Sequence, residues 1–364
     1  MSKKVFIIGG ARPNFVKIAP LTKQLDVNRI EYRLVHTGQH YDYNMSKIFF
    51  EELNIPKPDI FLDAGSGSHA SQTAKIMIEF EKVIINEKPN LVVVVGDVNS
   101  TIACALVAKK LFIDVAHVEA GLRSHDMRMP EEINRILTDR ISDLLFTTEK
   151  SAEINLRKEG INRKKIYFVG NIMIDTLITN LDKSKNLEFN KKFNLEKGTY
   201  AIITMHRPSN VDDIEDLSKT ADIINLLQEK IKIIFPIHPR TKINLEKYNL
   251  IDKMNKQNII LTEPLGYIEF LSLMMNSKFI LTDSGGIQEE ASFLKVPILT
   301  MRENTERPIT IKRGTNTLIG TDINKLRIYV DKILSNSYKK GKNMDKWDGK
   351  TAERIVSILK NKYL

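Results

Sequence analysis

The chain has 364 residues, 42% hydrophobic and 27% charged, with a formal net charge of +10 and a single cysteine. That is enough chain for two ordinary domains, and no apolar run approaches the roughly 20 residues that span a bilayer. The N-terminal MSKKVFIIGGARPN turns polar too early for a secretory signal, and one cysteine excludes a disulfide framework or a cysteine metal site. A cytoplasmic protein without membrane insertion is expected. Much of the excess positive charge lies in the lysine-rich stretches 183–197 and 339–350, which carry few aromatics. They read as solvated linkers rather than a nucleic-acid-binding stripe. The remaining charge suits a polyanionic metabolite.

KVFIIG (4–9) has the composition of a buried strand and ends in Gly9, Gly10, Ala11, Arg12 and Pro13, after which Phe15, Ile18, Leu21 and Leu25 recur at helical spacing. Strand, glycine turn and helix start make a setting that favours an anion, here with Arg12 and Lys17, although both can also be surface charges. The glycines lack GxGxxG spacing, so no dinucleotide site is predicted. Residues 32–37 form a second strand leading to Gly38, Gln39 and His40 and the segment 44–53. The loop DAGSGSH (63–69) precedes a long amphipathic helix over 71–86. NLVVVVG (90–96) has four consecutive valines between turn residues, the pattern of a central parallel strand buried on both faces.

Asp97 follows that strand, ahead of a helix to residue 111 that contains Cys104, which reads as a small buried hydrophobe. At such a strand end a carboxylate can face a ligand or cap the next helix, and the two are not exclusive. Glu119 takes the same position after the strand 113–118, inside HVEAGLR (117–123). Pro130, Glu131 and Glu132 then open a helix through Asn134, Arg135 and Leu137. Proline with first-turn acids is a capping pattern. Even so, Asp97 and Glu119 with the pair Glu131 and Glu132 bring three or four acids to one sheet edge, where burial and mutual repulsion can suit carboxylates to general acid/base work.

Strands at 143–147 and 166–170 and the segment 171–181 complete a first domain, placed at 1–182, to which a last helix within 350–364 returns. Residues 182–198 read as the linker, and 183–349 as the second domain. Its first strand, 200–205, ends in His206 and Arg207, followed by a turn at Pro208 and Asn210 and a helix over about 215–230. Strand 231–237 runs into His238, and the amphipathic helix 267–275 carries Phe270, either core or a base-stacking ring. The stretch KFILTDSGGIQEEASFLKVPILTMRENTERP (278–308) repeats the strand–turn–helix pattern. Ser284, Gly285 and Gly286 form the turn, Glu290 lies one helical turn on where it can accept a ribose diol, and Arg307 offers a planar fork for phosphate. Together they read as a cradle for a nucleoside diphosphate. A short strand at 317–319 and a helix at 323–335 follow. Two such α/β halves presenting strand-end loops to a common central cleft have the outline of a GT-B fold built from two Rossmann-like domains.

The segments GARPNFVKIAPL, HTGQHYDYNM, VVVGDVNST, HVEAGLRS, MPEEINRILTD, TMHRPSNV, LTDSGGIQEEA and MRENTERP, in that order over about residues 5–310, resemble the non-hydrolysing UDP-N-acetylglucosamine 2-epimerase family. The resemblance implies a GT-B homodimer that interconverts UDP-N-acetylglucosamine and UDP-N-acetylmannosamine. The implied route is C2 deprotonation with anti elimination of UDP, then re-addition to a 2-acetamidoglucal intermediate. Matched motif by motif, it makes Asp97, Glu119 and Glu131 the acid/base carboxylates and His206 an active-site histidine. It assigns Arg12, Lys17, Ser284, Gly285, Gly286 and Arg307 to the phosphates, Glu290 to the ribose and Phe270 to the uracil, with Arg207 beside them. No cofactor and no metal are implied.

The chain departs from the family pattern at an activator pocket. Many bacterial members have a glutamine three residues after the position of Gln39 and an arginine before a Gln-Thr pair; here Asp42 and Ser71 stand there. With His238 these positions outline a pocket expected to be altered. The rivals are an epimerase for another UDP-2-acetamido sugar, such as a diacetamido uronic acid, and the hydrolysing branch. A GT-B glycosyltransferase or a non-catalytic sugar-nucleotide binder would not need the three acids together.

Overall fold

The computed structural model describes residues 4–38, 49–252, 254 and 257–363. The chain divides into two compact units, Met1–Thr179 with Asp345–Leu364, and Asn180–Met344. The first unit holds strands β1 (Val5–Gly9), β2 (Tyr32–His36), β3 (Ile60–Phe61), β4 (Leu91–Val95), β5 (Asp114–Ala120), β6 (Leu144–Thr147) and β7 (Ile166–Phe168). They lie in the order β3-β2-β1-β4-β5-β6-β7, every pairing parallel. The valines of β4 are wholly buried, as the run of four required: helices cover both faces of a parallel sheet, so its strands cannot alternate in polarity. Cys104 is buried in the same core, and burial pushes its thiol up.

The second unit holds β8 (Tyr200–Thr204), β9 (Lys232–Pro236), β10 (Ile259–Thr262), β11 (Phe279–Thr282), β12 (Ile298–Thr300) and β13 (Asn316–Leu318), ordered β10-β9-β8-β11-β12-β13 and again all parallel. Both sheets therefore start in the middle, wind outward, return and wind the other way. The reversal falls between β1 and β4 in one and between β8 and β11 in the other. Loops diverge above the strand ends at such a point and leave room for a ligand.

Residues 182–198, expected to be a linker, are largely regular structure. The helix Ile172–Leu187 runs through their start, and a 3-10 helix, Phe189–Phe193, follows. Phe189 and Leu195 join the core of the second unit. The lysines that suggested a linker lie on the solvent side of these turns. The other basic stretch is also pinned: Lys339 Nζ donates to the carbonyls of Ile311 and Asn316, Lys346 Nζ donates to that of Phe168, and Trp347 is buried with its indole N–H on the Thr148 carbonyl. The last helix, Thr351–Tyr363, packs on Arg12–Val27 within the first unit. Its start is held by Asp175, which accepts the Ala352 N–H at 2.7 Å and is raised to about 6 by burial.

Three features carried no signal strong enough to read. Strand β3 has two residues and shows no periodicity, and the helices Pro239–Lys247 and Pro308–Lys312 are short and open on a proline. No helix among the described residues is long and apolar enough to cross a membrane.

Candidate active site

In the first unit the turn after β1 is built by close backbone approach. A Cβ on Gly10 would collide with the side chains of Ser100 and Thr37, whose hydroxyls are bonded to each other at 2.7 Å. Asn14, fully buried, accepts the N–H groups of Gly10 and Ala11 at 3.1 Å each and donates to the Val95 carbonyl at 3.0 Å. One amide thus ties the turn after β1 to the end of β4. The sequence reading missed Asn14; its place four residues after Gly10 was the available signal. Arg12 opens the helix Arg12–Val27.

Gly96, at a φ of +68°, turns the chain out of β4 and into Asp97. Asp97 is held by the helix Pro130–Ile141: Asn134 donates to its carbonyl at 2.9 Å, and the Arg135 guanidinium lies 3.7 Å from its carboxylate. Arg135 is almost fully buried and also pairs with Glu132 at 3.1 Å. The helix separates the two adjacent acids at its start. Glu132 is buried and accepts the N–H groups of Ser124 and His125 at 3.0 and 2.9 Å, a structural duty. Glu131, a helical step of about 100° away, is half-buried on the first turn.

Glu119 is the most unusual of the acids. It sits in a break of register between β5 and β6, at Val118/Ala120, with a φ of +77°. A non-glycine residue there is strained, and a bulge re-aims its side chain. The buried carboxylate is turned onto the buried Lys17 ammonium, which also lies 3.0 Å from where a Cβ of Gly96 would stand. Lys17, expected at a phosphate, thus lies between Glu119 and the turn that leads into Asp97. The structure brings Asp97, Glu119, Lys17 and the start of the Glu131 helix to the ends of the adjacent strands β1, β4 and β5.

In the second unit the organiser is Asp283, at the end of β11. It is fully buried and accepts the N–H groups of His206 and Arg207 at 3.0 and 2.9 Å and the Asn210 amide at 3.1 Å, with the His206 ring at 3.1 Å. Burial alone would raise this carboxyl, but the His206 ring and the two backbone donors hold it down to about 2. Arg207 Nε donates to the Asp283 carbonyl at 2.9 Å. One buried carboxylate therefore fixes the loop after β8 against the loop after β11. The sequence reading placed His206 and Arg207 at this strand end but gave Asp283 no role.

The next residues start the helix Gly285–Leu294. The Ser284 N–H is taken by Thr282 Oγ1 at 3.0 Å. The N–H groups of Gly285 and Gly286 then lead at the positive end of the helix. The Arg307 guanidinium packs on Gly285 so closely that a Cβ there would stand 2.7 Å from one of its nitrogens. Arg307 is buried, flanked by Glu289 at 2.8 Å and by Glu306, which also pairs with Arg302 at 2.8 Å. Glu290 lies buried one turn on and accepts the Tyr267 hydroxyl at 2.7 Å; burial lifts its carboxyl to about 7. Phe270, on the helix of Tyr267, is half-buried against the core.

Of the expected activator positions, Gln39 and Asp42 lie outside the described residues. Ser71 is exposed near the start of the helix His69–Glu87, and His238 is an exposed N-cap whose ring stands 5.6 Å from that of His206. Among the described residues no group of three or more His, Cys, Asp or Glu could hold a metal ion.

The sequence profile described as UDP-N-acetylglucosamine 2-epimerase matches residues 23–360. This chain belongs to that family. A UDP-N-acetylglucosamine 2-epimerase of Methanocaldococcus jannaschii is 49% identical over 362 residues, 98% of each chain. A UDP-2,3-diacetamido-2,3-dideoxy-D-glucuronate 2-epimerase of Pseudomonas aeruginosa is 42% identical over 322 residues, 87% of this chain and 88% of the relative. Among solved structures, the M. jannaschii UDP-GlcNAc 2-epimerase in complex with UDP-GlcNAc and UDP matches at a TM-score of 0.90 and 48% identity, covering 98% of this chain and 99% of the other. The 2-epimerase family places the two Rossmann-like sheets described above among GT-B-type enzymes.

Proposed function

We propose that this family member interconverts UDP-N-acetylglucosamine and UDP-N-acetylmannosamine in the non-hydrolysing manner. The observation that carries the reading is Glu119, a buried carboxylate held on a strained bulge against a buried lysine, beside the turn of Asp97. A protein that only held its ligand would gain nothing from that strain; an enzyme that must present a carboxylate to one carbon would.

In this reading Asp97, Glu119 and Glu131 take and return the C2 proton on opposite faces of the sugar. The poorly acidic C2 needs C–O cleavage to run ahead of proton transfer, so the departing diphosphate has to be stabilised. The helix start at Ser284, Gly285 and Gly286, with Arg307 packed on it, supplies fixed donors for that charge. Glu290 takes the ribose hydroxyls, Phe270 flanks the uracil, and His206 and Arg207, locked by Asp283, face the leaving group. The chain acts as a homodimer in the cytoplasm, and no cofactor takes part.

Incubation with UDP-N-acetylglucosamine in D₂O, followed by proton NMR, tests the reading. Deuterium at C2 in a mixture of two UDP-sugars is expected, whereas free sugar with stoichiometric UDP would indicate hydrolysis. A second reading is favoured by the diacetamido-glucuronate relative: the UDP half of the site would be the same, and an inert UDP-N-acetylglucosamine with a reactive diacetamido uronate would select it. The M. jannaschii relative was solved with both UDP-GlcNAc and UDP. For this chain, Asp42 and Ser71 lead us to propose an altered activator pocket. Product should form linearly from pure UDP-N-acetylmannosamine; strict dependence on added UDP-N-acetylglucosamine would overturn that.

A further inference from the structure

Behind the three acids of the first unit lies a buried polar chain that the proposed chemistry leaves without a task. His117, on β5, and Asp139, on the helix Pro130–Ile141, are both fully buried. The His117 ring spans two partners, its Nε2 at 2.7 Å from the Gly96 carbonyl and its Nδ1 at 2.7 Å from Asp139 Oδ1. A carbonyl can only accept, so Nε2 carries a hydrogen; a second proton lies between Nδ1 and the carboxylate. The other Asp139 oxygen accepts the Gly121 N–H at 3.0 Å and pairs with Arg123 at 2.7 Å, and Arg123 pairs with Glu159 at 2.7 Å.

The three ends of this chain coincide with the elements that carry the acids. Gly96 precedes Asp97. Gly121 follows the bulge of Glu119, and like Gly96 it sits at a positive φ, +81°. Asp139 belongs to the helix that begins with Glu131. A further backbone bond, Gly96 N–H to the Val118 carbonyl at 3.0 Å, joins the first two turns directly. Burying a carboxylate, a guanidinium and an imidazole is costly compared with apolar side chains of the same volume, yet apolar side chains could not grip a carbonyl on one turn and an N–H on another.

We propose that His117 and Asp139 are positioning residues for the reaction, a buried brace that holds the turns of Asp97 and Glu119 in register with the Glu131 helix. The proposal rests on the epimerase reading. Displacing acid/base groups by about 1 Å can cost on the order of 10²-fold in rate, and the brace is two bonds from Asp97.

The test measures C2 deuterium exchange, kcat and KM, UDP affinity and thermal stability in Asp139→Leu, His117→Gln and the double variant. Asp139→Leu keeps roughly the volume but bonds neither the His117 ring nor the Gly121 N–H. His117→Gln keeps an N–H for the Gly96 carbonyl. We expect kcat per folded molecule to fall about 30- to 100-fold with KM and UDP affinity within about threefold of the parent, since the brace touches none of the residues assigned to the nucleotide. The double variant should be no slower than the worse single variant, because both cut the same brace. His117→Phe, with no hydrogen bond to either partner, should be slower than His117→Gln. Should Asp139→Leu not fold, His117→Gln carries the test alone. Parental kcat in the folded variants, or a loss that tracks only the unfolded fraction, overturns the brace. A parent chain that exchanges no deuterium at C2 with either UDP-sugar overturns the epimerase reading instead.

Discussion

The two sheets have the same winding and the same reversal of strand order, yet the turns above their reversal points are chemically opposite. Above β1 and β4 the chain buries acids and balances them with Lys17 and Arg135. Above β8 and β11 it buries Asp283 solely to fix donors and cations, then begins a helix on which Arg307 lies. The shared topology supplies room and backbone donors at strand ends; what a unit can do is decided by the side chains placed there. Under the proposed function those of the first unit move a proton and those of the second hold a diphosphate.

Removing an acid from the first unit should separate the two tasks most sharply. Asp97→Asn or Glu119→Gln should lower kcat by about 10²–10⁴-fold, the usual worth of a general acid or base, with UDP affinity unchanged within about threefold by calorimetry. Equal losses in turnover and UDP binding would end the division of labour. The Lys17 contact makes a structural prediction next. Lys17→Met removes the ammonium that faces the buried Glu119 carboxylate and should cost about 3–5 kcal/mol in urea unfolding. The double variant Lys17→Met/Glu119→Gln should recover most of it.

On the other side, Gly285→Ala has no backbone obstacle, but its Cβ would stand 2.7 Å from an Arg307 nitrogen. Displacing that guanidinium should raise KM for the UDP-sugar about tenfold, roughly 1.4 kcal/mol, with little change in Tm. An unchanged KM would remove Arg307 from the phosphate cradle.

The smallest effect concerns Glu290. Its carboxyl is raised by burial from 4.5 to about 7, so the folded chain holds a proton that the unfolded chain lacks between these values. That contribution to stability is present at low pH and fades as pH rises through about 7. A ribose diol favours the ionised form, so binding of UDP-N-acetylglucosamine near pH 6.5 should release up to about one proton, seen as a dependence of the calorimetric heat on buffer ionisation. Glu290→Gln should abolish that dependence; its persistence would place the proton elsewhere.

The sequence by itself determined every strand but β3, the alternation of strand and helix that makes the sheets parallel, and the strand-end or helix-start placement of nearly all candidate residues. Each rested on a local signal: four valines between turn residues, acids or a histidine directly after a buried strand, two glycines ahead of a helix. It also misread residues 182–198 as a linker, because lysine-rich composition looks the same on an ordered helix as in a solvated tether. The tertiary structure alone decided the pairings. That Lys17 meets Glu119, that Glu132 serves a loop while Glu131 does not, that Asp283 locks His206, and that His117 reaches Asp139 all depend on contacts between residues 8 to 102 positions apart in the chain. Periodicity reports which face of an element is buried; it carries no record of which buried polar group will find which partner.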